Sequence, residues 1–365
     1  MLPKPHLTPD SFFHKITPTP SPPLSSPWPT TVYFISGNPG LISYYHAFLS
    51  LLAERLNPSS SPLEEISEPK SNSTFHIFGH SLAGFELGSS AAGAERREEQ
   101  ERYFDVEDQI QFLRGKLQGH MQSLRMRANS PYASSSSAAA AENESRQRPR
   151  PKVILIGHSV GSYMAMEVLR RHREEQAADA DFDILGGIML FPTVMHIAKS
   201  PSGQKLTFLL RIIPQLAIIV SFFAWILTMV LPNPILRAVV RFVMRSPPET
   251  AVDATSSFLK SRRGVRQALH MAADEMKTIT SDKWSDDVWG VARPSGALTR
   301  LFFYFGRNDH WVAEQTREEI VALRGRTKTG PRMIVCEDSV PHAFCLRHNE
   351  TMATKVADMI REIMG

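Results

Sequence analysis

Residues 152–163 read Lys-Val-Ile-Leu-Ile-Gly-His-Ser-Val-Gly-Ser-Tyr. The first five residues form an unbroken apolar run, which is typical of a strand buried on both faces of a parallel sheet. A helix is predicted over 163–173, so the Gly-x-Ser-x-Gly pattern occupies a strand-to-helix turn. Such a turn strains the serine backbone, and glycines two places before and after it remove side chains that would clash. The pattern therefore predicts Ser159 as a nucleophile on an elbow formed by Gly157 and Gly161.

The rest of the chain alternates between the two kinds of secondary structure. Amphipathic stretches predict helices at 41–56, 103–118 and 350–363. Short apolar runs predict strands at 31–36, 75–78, 184–191, 301–305 and 333–335. This alternation favours an α/β fold with a mostly parallel central sheet and helices on both faces.

Composition excludes several classes of protein. The chain has 365 residues, of which 42% are hydrophobic, so it has enough apolar side chains for a sizeable core. Two cysteines exclude a disulfide-stapled scaffold. The chain has 41 basic and 37 acidic residues, so its charges nearly balance and a nucleic-acid-binding groove is not indicated. No motif for a metal or other cofactor is found, so neither is predicted.

A serine hydroxyl needs a base to take its proton, and in this kind of fold the base follows the acid late in the chain. His342 lies between the strand predicted at 333–335 and the last helix, which is the expected place. His348 lies too close to the helix start, and His310 and His270 come too early. His342 is the predicted base, and an ordinary surface histidine is the alternative.

Asp309 follows the strand predicted at 301–305 and is the predicted acid. Glu337 and Asp338 are weaker candidates because they lie only a few residues before His342. Asp309 has a plainer alternative, an Asn-Asp turn that only caps the next helix. A second serine, Ser81, also follows a strand, but Ala83 replaces the second glycine and no periodic helix begins there.

The negative oxygen formed during acyl transfer needs two backbone N–H donors. Val160 follows the nucleophile at the start of a helix and supplies one. The second is expected from the loop 37–40, Gly-Asn-Pro-Gly. Pro39 has no N–H, so Asn38 or Gly40 must donate, and we name Asn38 as the candidate. A plain tight turn is the alternative.

Residues 212–231 contain no charge and are long enough to span a bilayer. A single span would separate Ser159 from Asp309 and His342, so we expect the block not to cross. After Pro232-Asn-Pro234, residues 235–245 place Arg237, Arg241 and Arg245 at four-residue spacing, which is typical of a basic amphipathic helix at a lipid surface. We predict that 206–245 forms a hairpin on a phospholipid monolayer. An ordinary cap packed on the core or on acyl substrate is the alternative.

These features divide the chain into four parts. Residues 1–30 are predicted to be a Pro-rich irregular arm, and 31–192 the first part of the core, with a mobile Ser/Ala-rich insertion at about 129–150. Residues 193–300 are predicted to be a hydrophobic helical cap. Residues 301–365 complete the core.

The sequence resembles the lipid droplet-associated hydrolase family, a branch of the α/β-hydrolases. The resemblance rests on 35–45 (Ile-Ser-Gly-Asn-Pro-Gly-Leu-Ile-Ser-Tyr-Tyr), on 156–163, on Leu-Phe-Pro-Thr at 190–193, on 303–311 and on Pro-His-Ala-Phe at 341–344. It implies the same candidate triad of Ser159, Asp309 and His342. The chain departs from the family in its Pro-rich arm, its Ser/Ala insertion and the Arg-Asn pair before Asp309.

The resemblance further implies neutral lipid esters, such as sterol esters or acylglycerols, as substrates. It implies a location on lipid droplets and the cytosolic face of the endoplasmic reticulum. Two other functions are kept open: a structural or regulatory protein of the droplet surface with weak hydrolysis, and a soluble hydrolase of small esters.

Overall fold

The computed structural model describes residues 4–15, 28–57, 74–87, 102–128, 150–175, 181–261, 263–291, 299–325 and 330–365. Within these ranges the chain forms one eight-stranded sheet. In chain order its strands are β1 (His6–Thr8), β2 (Ser11–His14), β3 (Thr30–Ile35), β4 (Phe75–His80), β5 (Lys152–His158), β6 (Asp183–Leu190), β7 (Arg300–Phe305) and β8 (Arg332–Val335). They lie side by side in the order β1-β2-β4-β3-β5-β6-β7-β8.

Helices follow most of the strands. In the described ranges they are α1 (His46–Leu56), α2 (Val106–Ala128), α3 (Val160–Glu174), α4 (Pro201–Ile212), α5 (Leu216–Val230), α6 (Asn233–Val243), α7 (Glu249–Lys260), α8 (Gly264–Thr278), α9 (Glu314–Arg324) and α10 (Asn349–Met364). The six strands from β4 to β8 in the sheet order are parallel, and only β1 and β2 are antiparallel to their neighbours. The predicted mostly parallel α/β sheet is confirmed.

Alternate side chains of the central strands enter two separate cores, which explains their unbroken apolar sequences. On β3, Val32 and Phe34 pack with α1 and α10 on one face. Tyr33 and Ile35 pack with α2 and α3 on the other. All four side chains are fully buried. The sheet is therefore covered by helices on both faces, as the sequence predicted.

The N-terminal arm needs a correction, because part of residues 1–30 is regular. β1 and β2 form a short hairpin, and β2 pairs antiparallel with β4. Phe12 of β2 is fully buried in the core that contains α1. Strands of three and four residues leave too little alternation to be read from sequence, and the strand that joins the hairpin to the sheet, β4, lies more than sixty residues after β2.

Helix boundaries differ from the predictions in several places. The basic helix predicted over 235–245 spans Asn233–Val243, so Arg245 lies beyond its end and does not share its basic side. The helix predicted over 163–173 begins at Val160. The helix predicted over 41–56 begins with a 3-10 turn at Ile42–Tyr45 and becomes α-helical at His46. The helix predicted over 103–118 continues to Ala128, because Met121 and Leu124 extend its buried stripe. Apart from Arg150, the insertion predicted at about 129–150 lies outside the described residues.

Five helices, α4 to α8, lie between β6 and β7 and form what we call the cap. No helix among the described residues is by itself both long and apolar enough to cross a membrane. The consecutive helices α4 and α5 are long and apolar enough only when taken together, and the chain bends by 97° at the break between them. Pro214 lies at this break, so the uncharged block is not the single helix that its length suggests.

The cap exposes apolar side chains on α5 and α6. No residue of α5 is fully buried, although the helix packs against α7 and α8. The exposed side chains of these two helices are Ile218, Ile219, Val220, Phe222, Phe223, Trp225, Leu227, Met229, Val230, Ile235, Val239, Phe242 and Val243. We call this set the apolar face.

The basic side of α6 is used partly within the cap. Arg237 is paired with Glu249 at 2.9 Å and also with Asp253, and Arg241 is paired with Glu249 at 2.7 Å. On the same helix, Leu236 and Val240 are buried against Val252 of α7. The outward side of α6 is therefore the apolar one.

The elbow glycines generate a prediction about stability. A Cβ on Gly157 would lie 2.4 Å from the Gly161 carbonyl oxygen, and one on Gly161 would lie 2.5 Å from the Ile35 carbonyl oxygen. Backbone atoms cannot move aside, so we expect Gly157→Ala to lower the free energy of unfolding by about 2 kcal/mol or more. Urea denaturation measures this change.

Gly115 of α2 provides the control, because no heavy atom outside its own helix backbone lies within 4 Å of a Cβ built there. Gly115→Ala should raise the stability by roughly 0.5–1 kcal/mol through the better helix propensity of alanine. Equal effects of the two substitutions would contradict the close packing at the elbow.

Candidate active site

Ser159 lies on the turn between β5 and α3, with φ 55° and ψ −126°. A positive φ is unusual for a residue with a side chain and costs free energy that the surrounding structure must supply. The backbone N–H of Ser159 donates to the Leu190 carbonyl oxygen on β6 at 2.9 Å. The Ser162 hydroxyl donates to the Gly157 carbonyl oxygen at 2.9 Å. The predicted elbow is thus bonded to the neighbouring strand β6, and its two flanking elements, β5 and α3, are bonded to each other.

His342 and Asp309 meet Ser159 at the carboxyl edge of the sheet. The distance from Ser159 Oγ to His342 Nε2 is 2.9 Å. His342 Nδ1 lies 2.9 and 2.8 Å from the two Asp309 carboxylate oxygens. A carboxylate only accepts, so Nδ1 carries the hydrogen and Nε2 accepts the serine proton. The Trp311 backbone N–H also donates to Asp309, whose side chain is only 1% exposed.

The alternative residues lie elsewhere. Asp338 forms an ion pair with Lys355 at 2.9 Å. His270 and His310 are solvent-exposed. Ser81 follows β4, no helix begins in the described residues 81–87, and its hydroxyl accepts the Ile42 N–H at 3.3 Å. The structure brings together only the three residues that the sequence placed in one triad.

The loop that follows β3 lies directly beside Ser159. A Cβ on Gly37 would lie 2.9 Å from the Ser159 Cβ. Asn38 lines the same cavity as Ser159 and His342. Val160 is the first residue of α3, so its N–H has no partner within the helix. Both predicted oxyanion donors therefore belong to segments that adjoin the serine.

His158 joins three parts of the site, and the sequence did not predict this role. Its Nε2 lies 2.9 Å from the His342 carbonyl oxygen, and its Nδ1 lies 2.8 Å from the Tyr45 hydroxyl. A carbonyl only accepts, so Nε2 carries the hydrogen and Tyr45 donates to Nδ1. Tyr45 in turn accepts the Gly37 N–H at 3.4 Å.

This network keeps His158 neutral. Complete burial lowers the pKa of His158 well below its ordinary value, and the neighbouring His342 ring lowers it further. The two ring centroids are 5.1 Å apart. A neutral His158 places no second positive charge beside His342. The only sign of it in the sequence is a polar residue at the end of an otherwise apolar strand.

A cavity of about 470 Å³ opens at Ser159. Its apolar walls include Ile197, Leu206, Met244, Leu269, Trp311 and Leu346. Leu206 belongs to α4, and Met244 follows the last residue of α6. The helices that carry or adjoin the apolar face therefore also form part of the cavity wall.

Glu275 of α8 also lines this cavity, although it is only 4% exposed. Its Oε1 accepts a hydrogen bond from Asn38 Nδ2 at 2.9 Å. Burial, with a smaller contribution from Asp274, raises the pKa of Glu275 to about 8. The sequence analysis missed this residue. The available signal was its place on the apolar side of α8, four residues after Met271.

Solved structures with the same fold are enzymes with low sequence identity. A 2-hydroxy-6-oxo-6-phenylhexa-2,4-dienoate hydrolase from a Rhodococcus species aligns with a TM-score of 0.52 and 13% identity, covering 96% of this chain and 94% of that one. A serine hydrolase from Cycloclasticus zankles gives a TM-score of 0.50 and 11% identity over 96% and 94%. The α/β-hydrolase fold is thereby confirmed.

Sequence relatives identify the family. The lipid droplet-associated hydrolase of Mus musculus is 24% identical over 90% of this chain and 84% of its own length. That of Homo sapiens is 23% identical over 91% and 84%. That of Gallus gallus is 29% identical over 58% of this chain and 59% of its own length, so this match spans little more than half of the relative.

The sequence profile of the lipid-droplet associated hydrolases matches residues 29–345, which include all three residues of the predicted triad. The match covers most of the 365 residues and both parts of the core. The chain is a hydrolase and belongs to the lipid-droplet associated hydrolase family.

Proposed function

We propose that this chain is a serine esterase that hydrolyses carboxylic esters of neutral lipids, sterol esters or acylglycerols, through an acyl-enzyme on Ser159. The observation that carries the proposal is the hydrogen-bond chain from Ser159 through His342 to Asp309 at the mouth of an apolar cavity. Its three bonds are 2.8–2.9 Å long, so the base already lies at the distance needed to take the serine proton.

In the first half of the reaction, the Ser159 oxygen attacks the ester carbonyl carbon while His342 Nε2 takes the hydroxyl proton. Asp309 holds the ring in this tautomer and stabilises the positive charge that forms on it. The Asn38 and Val160 N–H groups bind the negative oxygen, supported by the positive end of α3. His342 then gives the proton to the alcohol oxygen as the C–O bond breaks.

In the second half, water replaces the alcohol. His342 takes a proton from a water molecule as the water oxygen attacks the carbonyl carbon of the acyl group bound to Ser159. The second tetrahedral intermediate collapses, His342 returns the proton to Ser159, and the carboxylic acid leaves. No group outside the described site is required for either half.

The apolar cavity and the apolar face support a water-insoluble substrate. Leu206 and Met244 line the cavity and come from α4 and from the residue after α6. If the apolar face lies in a phospholipid monolayer, an ester in the lipid beneath reaches Ser159 without crossing water. The names of the relatives, together with this surface, support a position on lipid droplets. We propose the cytosolic face of the endoplasmic reticulum as a second location, because it offers the same kind of phospholipid surface.

The mode of contact follows from the two outward helices. Phe223 of α5 is 64% exposed and Phe242 of α6 is 84% exposed. Large exposed apolar patches of this kind mark membrane or protein contacts in soluble folds. We propose that segment 206–245 lies in one leaflet, with the apolar face as its inserted side.

The triad is tested by replacing its members one at a time. Ser159→Ala and His342→Ala should lower kcat at least ~10³-fold, and Asp309→Asn should lower it about 10⁴-fold by favouring the wrong tautomer. Hydrolysis of a short-chain p-nitrophenyl ester and labelling by a fluorophosphonate probe measure these effects.

Ser81→Ala is the matched control, since Ser81 also follows a strand and is buried. It should keep both activity and labelling. Unchanged hydrolysis by folded Ser159→Ala would refute Ser159 as the nucleophile. Absence of fluorophosphonate labelling in the folded wild type, with Ser159→Ala behaving normally in cells, would favour a structural role at the droplet surface.

The Tyr45–His158 bond generates a second prediction. Tyr45→Phe leaves His158 Nδ1 and the Gly37 N–H without their partner and loosens the carbonyl anchor of His342. We expect kcat to fall roughly 10- to 100-fold with an unchanged KM, and stability to fall by about 1–3 kcal/mol. Steady-state kinetics and thermal unfolding measure the two effects.

Tyr33→Phe provides the comparison, because Tyr33 forms an equivalent 2.8 Å bond to His80 away from Ser159. It should cost stability but leave kcat within about twofold. A similar fall of kcat in both variants would show that the effect is not specific to the His342 anchor.

The lipid contact is tested by a double substitution in the apolar face, Phe223→Asp with Phe242→Asp. Each buried aromatic side chain contributes about 1.5–3 kcal/mol, so binding to phospholipid-coated triacylglycerol droplets should weaken more than tenfold. Hydrolysis of a water-soluble ester should stay within about twofold. Droplet flotation measures binding.

Leu323→Asp is the control, because Leu323 is 62% exposed on α9, outside the cap. It should bind droplets as the wild type does. Full droplet binding by the double variant would refute the proposed contact through 206–245.

A further inference from the structure

The oxyanion loop, residues 37–40, is held from the cap through one side chain. Asn38 Nδ2 donates one hydrogen to the Ala268 carbonyl oxygen and the other to Glu275 Oε1, both at 2.9 Å. Both acceptors lie on α8. The amide nitrogen of Asn38 has therefore used its full donor capacity on a single cap helix.

The two ends of the oxyanion loop are fixed differently. The Gly37 N–H donates to the Tyr45 hydroxyl, and the Gly40 carbonyl accepts the Leu82 N–H at 2.8 Å. Across the described residues, Asn38 has no backbone hydrogen bond. A backbone N–H that binds a reacting oxygen is not available for a hydrogen bond that would hold its own residue in place. The position of such a residue must be set by another group, and within the described part of the chain the hydrogen bonds of Asn38 are those of its side chain.

Glu275 is an unusual choice for that anchor. It is almost fully buried in the wall of an apolar cavity, where a carboxyl group is costly to place. The Ala268 bond is made by a backbone carbonyl and would exist with any side chain there. The Glu275 bond depends on the identity of the residue, so this position determines how firmly Asn38 is held.

We propose that Glu275 is a positioning residue for ester hydrolysis, which fixes the oxyanion loop by accepting the Asn38 side-chain hydrogen bond from the cap. The inference rests on the proposed function of Ser159. It assigns the cap a part in building the site, because α8 belongs to the insertion between β6 and β7 and not to the sheet.

The test compares two substitutions that differ in hydrogen bonding. Glu275→Gln keeps an oxygen that can accept from Asn38, and kcat at pH 7 should remain within about threefold of the wild type. Glu275→Met fills a similar volume without an acceptor, and kcat should fall roughly 30- to 100-fold with an unchanged KM for a water-soluble ester.

A double-mutant cycle separates positioning from a general loss of packing. Asn38→Ala should itself lower kcat, and adding Glu275→Met should lower it no further, because the bond is already absent. Independent, multiplying losses would overturn the inference. Should Glu275→Met fail to fold, Glu275→Leu, which also lacks an acceptor, takes its place in the cycle.

The pH arm uses the charge of Glu275. In the wild type, ionisation near pH 8 puts a negative charge beside the oxyanion loop, so kcat should fall above that pH. Glu275→Gln should lack this fall. The other titratable groups of α8 are Arg266, His270, Asp274 and Lys277. Those that line the cavity are Tyr44, Tyr45, His158, His342 and Cys345. Burial raises the pKa of Tyr44 and of Cys345 to about 12, so neither titrates near pH 8.

Glu167→Gln is the control for a buried glutamate, since Glu167 is 1% exposed and bound to Arg170 and Trp284, outside the cavity. Its kcat should fall above pH 8 as the kcat of the wild type does. The inference, but not the proposed function, would be overturned by either of two results. One is an identical fall of kcat above pH 8 in Glu275→Gln and the wild type, and the other is full activity of Glu275→Met. A wild type that neither hydrolyses esters nor reacts with a fluorophosphonate would overturn the proposed function as well.

Discussion

Parallel pairing of β5, β6, β7 and β8 is the constraint on which the rest of the structure depends. Because parallel strands end at the same edge, the turns after β5, β7 and β8 are brought together although the chain between them is long. Ser159, Asp309 and His342 each follow one of these strands. Burial of the sheet on both faces makes its register hard to shift, since a slip would move every side chain to the other core.

Burial favours the neutral form of two ionisable groups in the site, because it lowers the pKa of His158 and raises the pKa of Glu275. His158 resists gaining a proton, and Glu275 resists losing one. The neutral form of His158 suits its hydrogen bonds, since it donates to one carbonyl and accepts from Tyr45, whereas the bond from Asn38 favours ionised Glu275 and only partly offsets the effect of burial. The electrostatic field near Ser159 is therefore left to the His342–Asp309 pair and to the backbone N–H groups.

The sequence predicted those parts of the fold and site that depend on local pattern. The strand, elbow and helix around Ser159 are contiguous, and Asp309 and His342 follow from the order of strands. The hairpin of β1 and β2 was missed because its partner β4 is distant in sequence. The 97° bend lies at Pro214, whose helix-breaking effect was given too little weight because the run around it is uncharged. Glu275 and Tyr45 could not be assigned, because their roles depend on which helix ends face the cavity.

The position of the cap between β6 and β7 has a consequence for the order of synthesis. The ribosome releases α4, α5 and α6 before Asp309 and His342 have been translated. At ordinary elongation rates the interval is on the order of ten seconds. For that time the nascent chain displays its most apolar helices while Ser159 has no base. The polypeptide is thus ready to meet a lipid surface, or a chaperone, before it can cut an ester bond.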